Sequence, residues 1–377
     1  MAEPSPALLS TSSSASPAAP PHPTPTPTPA SPPSASPADD GVLDLSGEAL
    51  PSIGEVFELS PSLTELCLMH NRIETIELLE PLTRLRRLNL RANRIREIAG
   101  LEHCVELRHL ELYENKIQRL GGLATLSRLE VLDASFNTIG AIEGLDALGA
   151  LTELYLSNNR IREITGLGGL RSLRLLELGS NELRSALPLR RYAASLTQLQ
   201  ELHLGRNKLS SLEGLEGLGA LRVLGLASNR LKSLDGVQPL GALRELYADH
   251  NWIASMEELD GLRELHTLEL SSNCLTEVRC ASLRSLEELW LSDNRMAEQA
   301  QIAHVRALPR LKTLYLTGCP ISRLEDYRAL VLSTVPPSLE QLDADLLPQG
   351  WRDDLSPTPS APAQGADVSE VHHGGPH

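Results

Sequence analysis

LTELYLSNNRI, residues 151–161, reads as a short strand followed by a turn. Leu154 and Leu156 alternate with Glu153 and Tyr155, the period of an extended chain with one face buried and one open. Asn159 stands where the chain must bend away, and a carboxamide there carries donors and an acceptor for backbone groups that leave the sheet. The same spelling recurs upstream as LTELCLMHNRI (63–73), LRRLNLRANRI (85–95), LRHLELYENKI (107–117) and LEVLDASFNTI (129–139). Asn71, Asn93, Asn115, Asn137 and Asn159 are each 22 residues apart. The ladder continues through Asn181, Asn207, Asn229, Asn251, Asn273 and Asn294 and ends at Cys319, giving twelve units.

Twelve copies of L-x-x-L-x-L-x-x-N/C-x-L are the signature of the leucine-rich repeat. The expected fold is an α/β solenoid, with a curved parallel sheet on its concave face and short helical or 3-10 segments on its convex face. The other half of each repeat, such as ETIELLEPLTR (74–84) or REIAGLEHCVE (96–106), carries the apolar residues that close the core from the convex side. No unit buries its core alone, so stability comes from neighbours and from caps at both ends. Strands spaced by about 4.8 Å make a sheet on the order of 55 Å along the stack, long enough to hold a globular domain.

The repeats are assigned to residues 61–316. GVLDLSGEALPSIGEVFEL (41–59) reads as a partial repeat within an N-terminal cap, residues 41–60. Residues 317–347 read as a C-terminal cap built from a proline turn, a helix from about Leu324 to Leu332, and a final LEQLD strand. Two repeats are long. Asn181 to Asn207 carries four extra residues, with SALPLRRYAAS (185–195) expected on the convex side, and Asn294 to Cys319 should be distorted. Residues 1–40 are Pro, Ser, Thr and Ala around PTPTPTPASPPSASP, and residues 348–377 are again Pro, Ser and Gly rich; both are expected to be disordered tails. Ser-Pro and Thr-Pro steps at Ser16, Thr24, Thr26, Thr28, Ser31 and Ser36 suit proline-directed phosphorylation, although a plain solvated tail is the favoured reading, and VHHGGPH is too short for a metal site.

A net charge of −15 and a pI near 5.2 argue against direct binding to nucleic acid or anionic membrane. Five scattered cysteines without a C-x-x-C pair favour reduced thiols and an intracellular address. No apolar run reaches membrane-spanning length, and the N-terminus lacks a secretory pattern. No Walker, H-E-x-x-H or G-x-S-x-G motif occurs, and carboxylates on an open sheet are poorly placed for pKa tuning. No catalytic residue, cofactor or metal is expected.

The exposed position inside each L-x-L forms a column: Cys67, Asn89, Glu111, Asp133, Tyr155, Glu177, His203, Gly225, Tyr247, Glu269, Trp290 and Tyr315. One exposed place earlier run Glu65, Glu153, Glu201, Glu245 and Glu288, while Arg87 and Arg91 stand at the N-terminal end. Four of the eleven aromatic residues occupy this one column, in a chain that is 3% aromatic. Rings among carboxylates are the composition of a protein-binding hot spot, although cross-strand support is the plainer alternative. On the binding reading, Trp290 stays exposed until a partner covers it.

Particular repeats resemble the leucine-rich-repeat regulatory subunits of type-1 protein phosphatase. The resemblance rests on LDASFN, LELGSN, LGRNKL, SNRL, LRELY before HN, ELW before DN and YLTGCPI, with the long last repeat and the DYRALVL to LEQLD cap. It covers roughly residues 60–347. It implies a non-catalytic protein, monomeric when free, that binds the phosphatase catalytic subunit through the concave face, in nucleus and cytoplasm. It also implies contacts at Asp133, Tyr155, Glu177, Glu269, Glu288, Trp290 and Tyr315. His203 stands where that family would carry an aromatic residue, and Glu269 lengthens an aspartate; with Tyr247 they complete the candidate interface. Dynein-associated and spliceosomal scaffolds share the repeat but have about four to six copies, so the twelve here weigh against them.

Overall fold

The computed structural model describes residues 41–55, 59–348 and 351. Strand β1 is Val42–Asp44. Strands β2 to β13 are Glu65–Cys67, Arg87–Asn89, His109–Glu111, Val131–Asp133, Glu153–Tyr155, Leu175–Glu177, Glu201–His203, Val223–Gly225, Glu245–Tyr247, Thr267–Glu269, Glu288–Trp290 and Thr313–Tyr315. They are followed by β14 (Gln341–Leu342) and β15 (Asp345–Leu346). All fifteen lie in one sheet in sequence order, parallel except for the final β14–β15 pair. The solenoid architecture inferred from the asparagine spacing is therefore the observed one.

Each of the strands β2 to β13 buries its middle residue. Leu66, Leu88, Leu110, Leu132 and Leu154 head a single row of leucines with almost no exposed surface, and the flanking strand residues face out. The convex half contributes a second row to the same core, such as Ile76, Leu79, Leu82 and Leu85. Several convex halves turn on a left-handed glycine. At Gly144 (φ 71°) an added Cβ would also collide with the Leu120 carbonyl of the preceding turn, so shape and close approach both demand glycine there.

The asparagines tie the turns together. Asn159 Nδ2 donates to Leu156 O of its own turn at 3.1 Å and to Ala134 O of the preceding turn at 3.0 Å. Its Oδ1 accepts the Ile139 N–H of the preceding turn at 2.9 Å. Asn71 does the same against β1, taking Leu45 O at 2.8 Å and the Leu50 N–H at 2.9 Å. The residue before each asparagine is left-handed throughout, even where it is bulky, as at Phe136 (φ 54°) and Arg206 (φ 53°). Such a conformation costs a non-glycine residue on the order of 1 kcal/mol, and it swings the carboxamide inward. Cys319 takes over part of the role at the last unit: its thiol donates to Leu291 O at 3.2 Å and accepts the Asn294 N–H at 3.4 Å.

The long repeat after Asn181 leaves the sheet register intact. Glu177 pairs with His203 directly, and the extra residues form a 3-10 segment, Leu187–Tyr192, on the convex side. The last repeat likewise carries a 3-10 segment, Gln299–Ala307, yet Trp290 still pairs with Tyr315. In the C-terminal region the helix α1 runs Tyr327–Leu332, starting later than the expected Leu324. Leu324 closes the preceding 3-10 turn, Pro320–Arg323, in an extended conformation (φ −70°, ψ 143°), which delays the helix. Trp351, beyond the boundary drawn at 347, is buried and donates its indole N–H to Leu339 O at 3.0 Å. Residues 1–40 and 352–377, with the Ser-Pro and Thr-Pro steps and VHHGGPH, lie outside the described residues.

Replacing Asn159 with alanine strands the buried Ile139 N–H and takes one of two asparagine donors from each of the Ala134 and Leu156 carbonyls, so Asn159→Ala should lower unfolding stability by about 1–3 kcal/mol. The outward-facing Glu177→Ala should stay within about 0.5 kcal/mol. Urea denaturation midpoints of the two variants check this. Equal midpoints would mean that the asparagine bonds do not hold the turns together.

Candidate protein-binding face

Parallel pairing places the column residues on successive strands, each opposite the next: Asp133 with Tyr155, Tyr155 with Glu177, Glu177 with His203, His203 with Gly225. The run continues through Tyr247, Glu269, Trp290 and Tyr315 without a break. All nine candidate residues therefore share one face, with Glu288 two places before Trp290 on the same strand. The parallel register makes this alignment obligatory, because a slip by one residue would send the whole set into the core.

On three strands, rings of the column are coupled to the acid two places earlier. Tyr155 donates its hydroxyl proton to Glu153 Oε2 at 2.9 Å, and Tyr247 does the same to Glu245 Oε2 at 2.8 Å. His203 Nε2 lies 3.8 Å from Glu201 Oε2. Burial, with the adjacent carboxylate next, pushes both tyrosine hydroxyls well above the ordinary range. They stay protonated and keep the rings fixed. Asp133 Oδ1 accepts the Ser135 N–H at 2.9 Å and Glu269 Oε1 accepts the Ser271 N–H at 2.8 Å, so each carboxylate is aimed by its own backbone. Burial raises the Glu269 carboxyl above its ordinary value, partly offset by that hydrogen bond. The Glu177 carboxylate, between Tyr155 and His203, has no hydrogen-bonding or ionic partner among the described residues.

Trp290 is half-buried even with no partner present, which corrects the expectation of a ring left open to water. It stacks on Tyr315 with ring centroids 4.4 Å apart and planes at 7°, and the Tyr315 hydroxyl accepts from Gln341 Nε2 at 2.6 Å. The long last repeat and β14 thus hold both rings in place. The cross-strand support weighed as the plainer alternative is physically present, and it leaves the outer ring surface as a rigid apolar platform.

A second aromatic group escaped the sequence reading. The Arg91 guanidinium sits 4.2 Å from the centre of the Tyr113 ring, and Tyr113 packs against Phe136 at 4.8 Å. These side chains stand two and three places past the central column, at the edge of the same face. Reading the neighbouring columns together would have brought them into view.

Chemically the face presents carboxylates and held aromatic rings to solvent. Among the described residues no group of His, Cys, Asp and Glu is placed to hold a metal, and no helix is long and apolar enough to cross a membrane. Burial pushes the thiols of Cys104 and Cys319 up to about 11 and that of Cys280 to about 12, which keeps them protonated.

Residues 61–103 and 150–191 match the family described as Leucine Rich repeats (2 copies), and residues 197–253 match Leucine rich repeat. The protein is a leucine-rich-repeat solenoid. Among solved structures it is similar to an internalin, InlF, of Listeria monocytogenes, at 24% identity with a TM-score of 0.71, over 81% of this chain and 87% of that one. A leucine-rich-repeat protein of Leptospira interrogans matches at 21% identity and a TM-score of 0.61, over 79% of this chain and 94% of that one. The leucine-rich repeat domain of APL1B matches at 23% identity and a TM-score of 0.54, over 66% and 74%. No curated protein matches the chain. At these identities the structural likeness speaks to the fold alone, and the fold is one that suits protein binding.

The raised tyrosine values carry a sign. A phenol whose folded value lies above its ordinary one, near 10, stabilises the fold fully below that ordinary value. The contribution is lost as pH rises past it toward the folded value. In an alkaline absorbance titration Tyr155 and Tyr247 should therefore ionise late, and Tyr155→Phe should remove one late step. Glu153→Gln should move that step toward the ordinary value without reaching it, because burial remains. A Tyr155 step at the ordinary value in the wild-type chain would show that the Tyr155–Glu153 contact does not persist in solution.

Proposed function

We propose that this chain is a non-catalytic regulatory subunit that seats the catalytic subunit of type-1 protein phosphatase on its concave face and modulates its activity, in nucleus and cytoplasm. Asp133, Tyr155, Glu177, His203, Tyr247, Glu269, Glu288, Trp290 and Tyr315 make the contacts in this reading. The observation that carries it is the unbroken register that lines these nine residues up on one sheet face, with their rings held by Glu153, Glu245 and the Trp290–Tyr315 stack. The partner's identity rests on the resemblance of residues 60–347 to phosphatase regulators.

Each feature has a role in such a complex. Rings that are already ordered lose little conformational freedom on binding, which favours affinity at modest area. Carboxylates such as Glu177 and Glu288 pair with basic side chains of the partner and speed encounter through long-range attraction. Glu177 sits between two rings and near the middle of the column, where truncations are usually most costly.

Calorimetry with the purified phosphatase catalytic subunit tests the reading. The wild-type chain should bind, and Trp290→Ala and Glu177→Ala should each lose at least about 1–2 kcal/mol of binding. Thermal melts should show both variants folded. A folded wild-type chain that does not bind, or two variants that bind as the wild type does, would contradict the reading.

A further inference from the structure

The concave face leaves one exposed tryptophan unexplained. Trp252 is 55% exposed, whereas Trp290 is half-buried and Trp351 is 8% exposed. It follows Asn251, so it heads the lateral flank where the chain leaves the sheet. Among the described residues no ring and no guanidinium stacks on it.

Its neighbours on that flank are cations. The residue after each asparagine heads the flank of its own turn. The Arg230 N–H bonds to Leu209 O and the Trp252 N–H to Leu231 O, both at 2.8 Å, which sets Lys208, Arg230 and Trp252 on successive turns. Backbones there are about 4.8 Å apart. Lys232 stands two residues beyond Arg230, and Arg206 two residues before Lys208 in a left-handed corner. None of these four cations forms an ion pair or side-chain hydrogen bond among the described residues. The nearby acids are engaged elsewhere: Glu182, on the turn before Lys208, with Arg162 Nε at 3.1 Å, Asp249 with His250 Nδ1 at 2.8 Å and Asp235 with Ser233 Oγ at 2.9 Å. In a chain of net charge −15, this is a strip of unpaired positive charge ending on an exposed indole.

We propose that this flank docks an acidic segment of a partner protein, with an apolar side chain of that segment seated on Trp252 and its carboxylates on Arg206, Lys208, Arg230 and Lys232. Trp252, Lys208, Arg230 and Lys232 follow their asparagines and stand past the column residues, while Arg206, like Phe136, stands at the edge of the concave face. Charge complementarity identifies the occupant's sign, and the single ring identifies one apolar anchor within it. A single-stranded nucleic acid is a poorer fit. Such ligands need successive stacking platforms, and here one ring stands beside a molecule whose overall charge repels a longer polyanion.

The test is fluorescence anisotropy of the full chain with a labelled peptide of aspartate and glutamate around a central leucine–phenylalanine pair. The wild-type chain should bind, more weakly as salt rises. Trp252→Ala, and separately Arg230→Glu combined with Lys232→Glu, should each weaken binding at least about tenfold. Trp252→Phe should keep most of the binding, and Trp290→Ala should bind the peptide as the wild type does. An oligothymidylate probe should bind less tightly than the peptide. No peptide binding by the folded wild-type chain, equal binding by the flank variants, loss on Trp290→Ala instead, or tighter binding of the oligothymidylate would each overturn the proposal.

Discussion

A carboxamide that bonds two turns at once holds this molecule together. Each asparagine donates to a carbonyl of its own turn and to one in the turn before, and accepts an N–H from that earlier turn. These bonds from one side chain fix the distance between neighbouring strands and the point at which each strand leaves the sheet. The leucine rows supply most of the favourable free energy and forbid a one-residue slip, which would turn the buried set outward. The asparagine bonds tie each turn to the one before it at that register, on which everything at the surface depends.

That register turns a one-dimensional spacing into a two-dimensional surface. Because Tyr155 must lie opposite Asp133 and Glu177, and Trp290 opposite Tyr315, every side chain on the open face has known neighbours from the adjacent turns. The long repeat after Asn181 shows how strictly this holds: its extra residues are expelled to the convex side while Glu177 still meets His203. The same rule generates the flank, where Lys208, Arg230 and Trp252 follow one another for the same reason. Carboxylates and aromatic rings share the column and unpaired cations line the flank past it, so one scaffold offers two surfaces of different charge.

Much of this was legible in the amino-acid sequence, since asparagines 22 residues apart locate each strand and hence the column members from Cys67 to Tyr315. What side chains do within the column was less legible. The bending of Tyr155 onto Glu153, two residues away on the same face, depends on rotamers that spacing does not determine. The Trp290–Tyr315 stack joins residues across an irregular repeat, so a ring that looked open to water is half covered by its neighbour. The Arg91, Tyr113 and Phe136 group was missed because its members come from two different columns. The late start of α1 follows from the extended backbone at Leu324, which no apolar pattern announces.

In the proposed complex the concave rings are the surface that a phosphatase catalytic subunit covers. Hydroxyl-radical footprinting of the chain, free and with that subunit bound, reads the accessibility of each ring directly. Tyr155, Tyr247, Trp290 and Tyr315 should lose labelling in the complex while Trp252 on the flank keeps its own. A complex that forms while the concave rings label as they do in the free chain would contradict it.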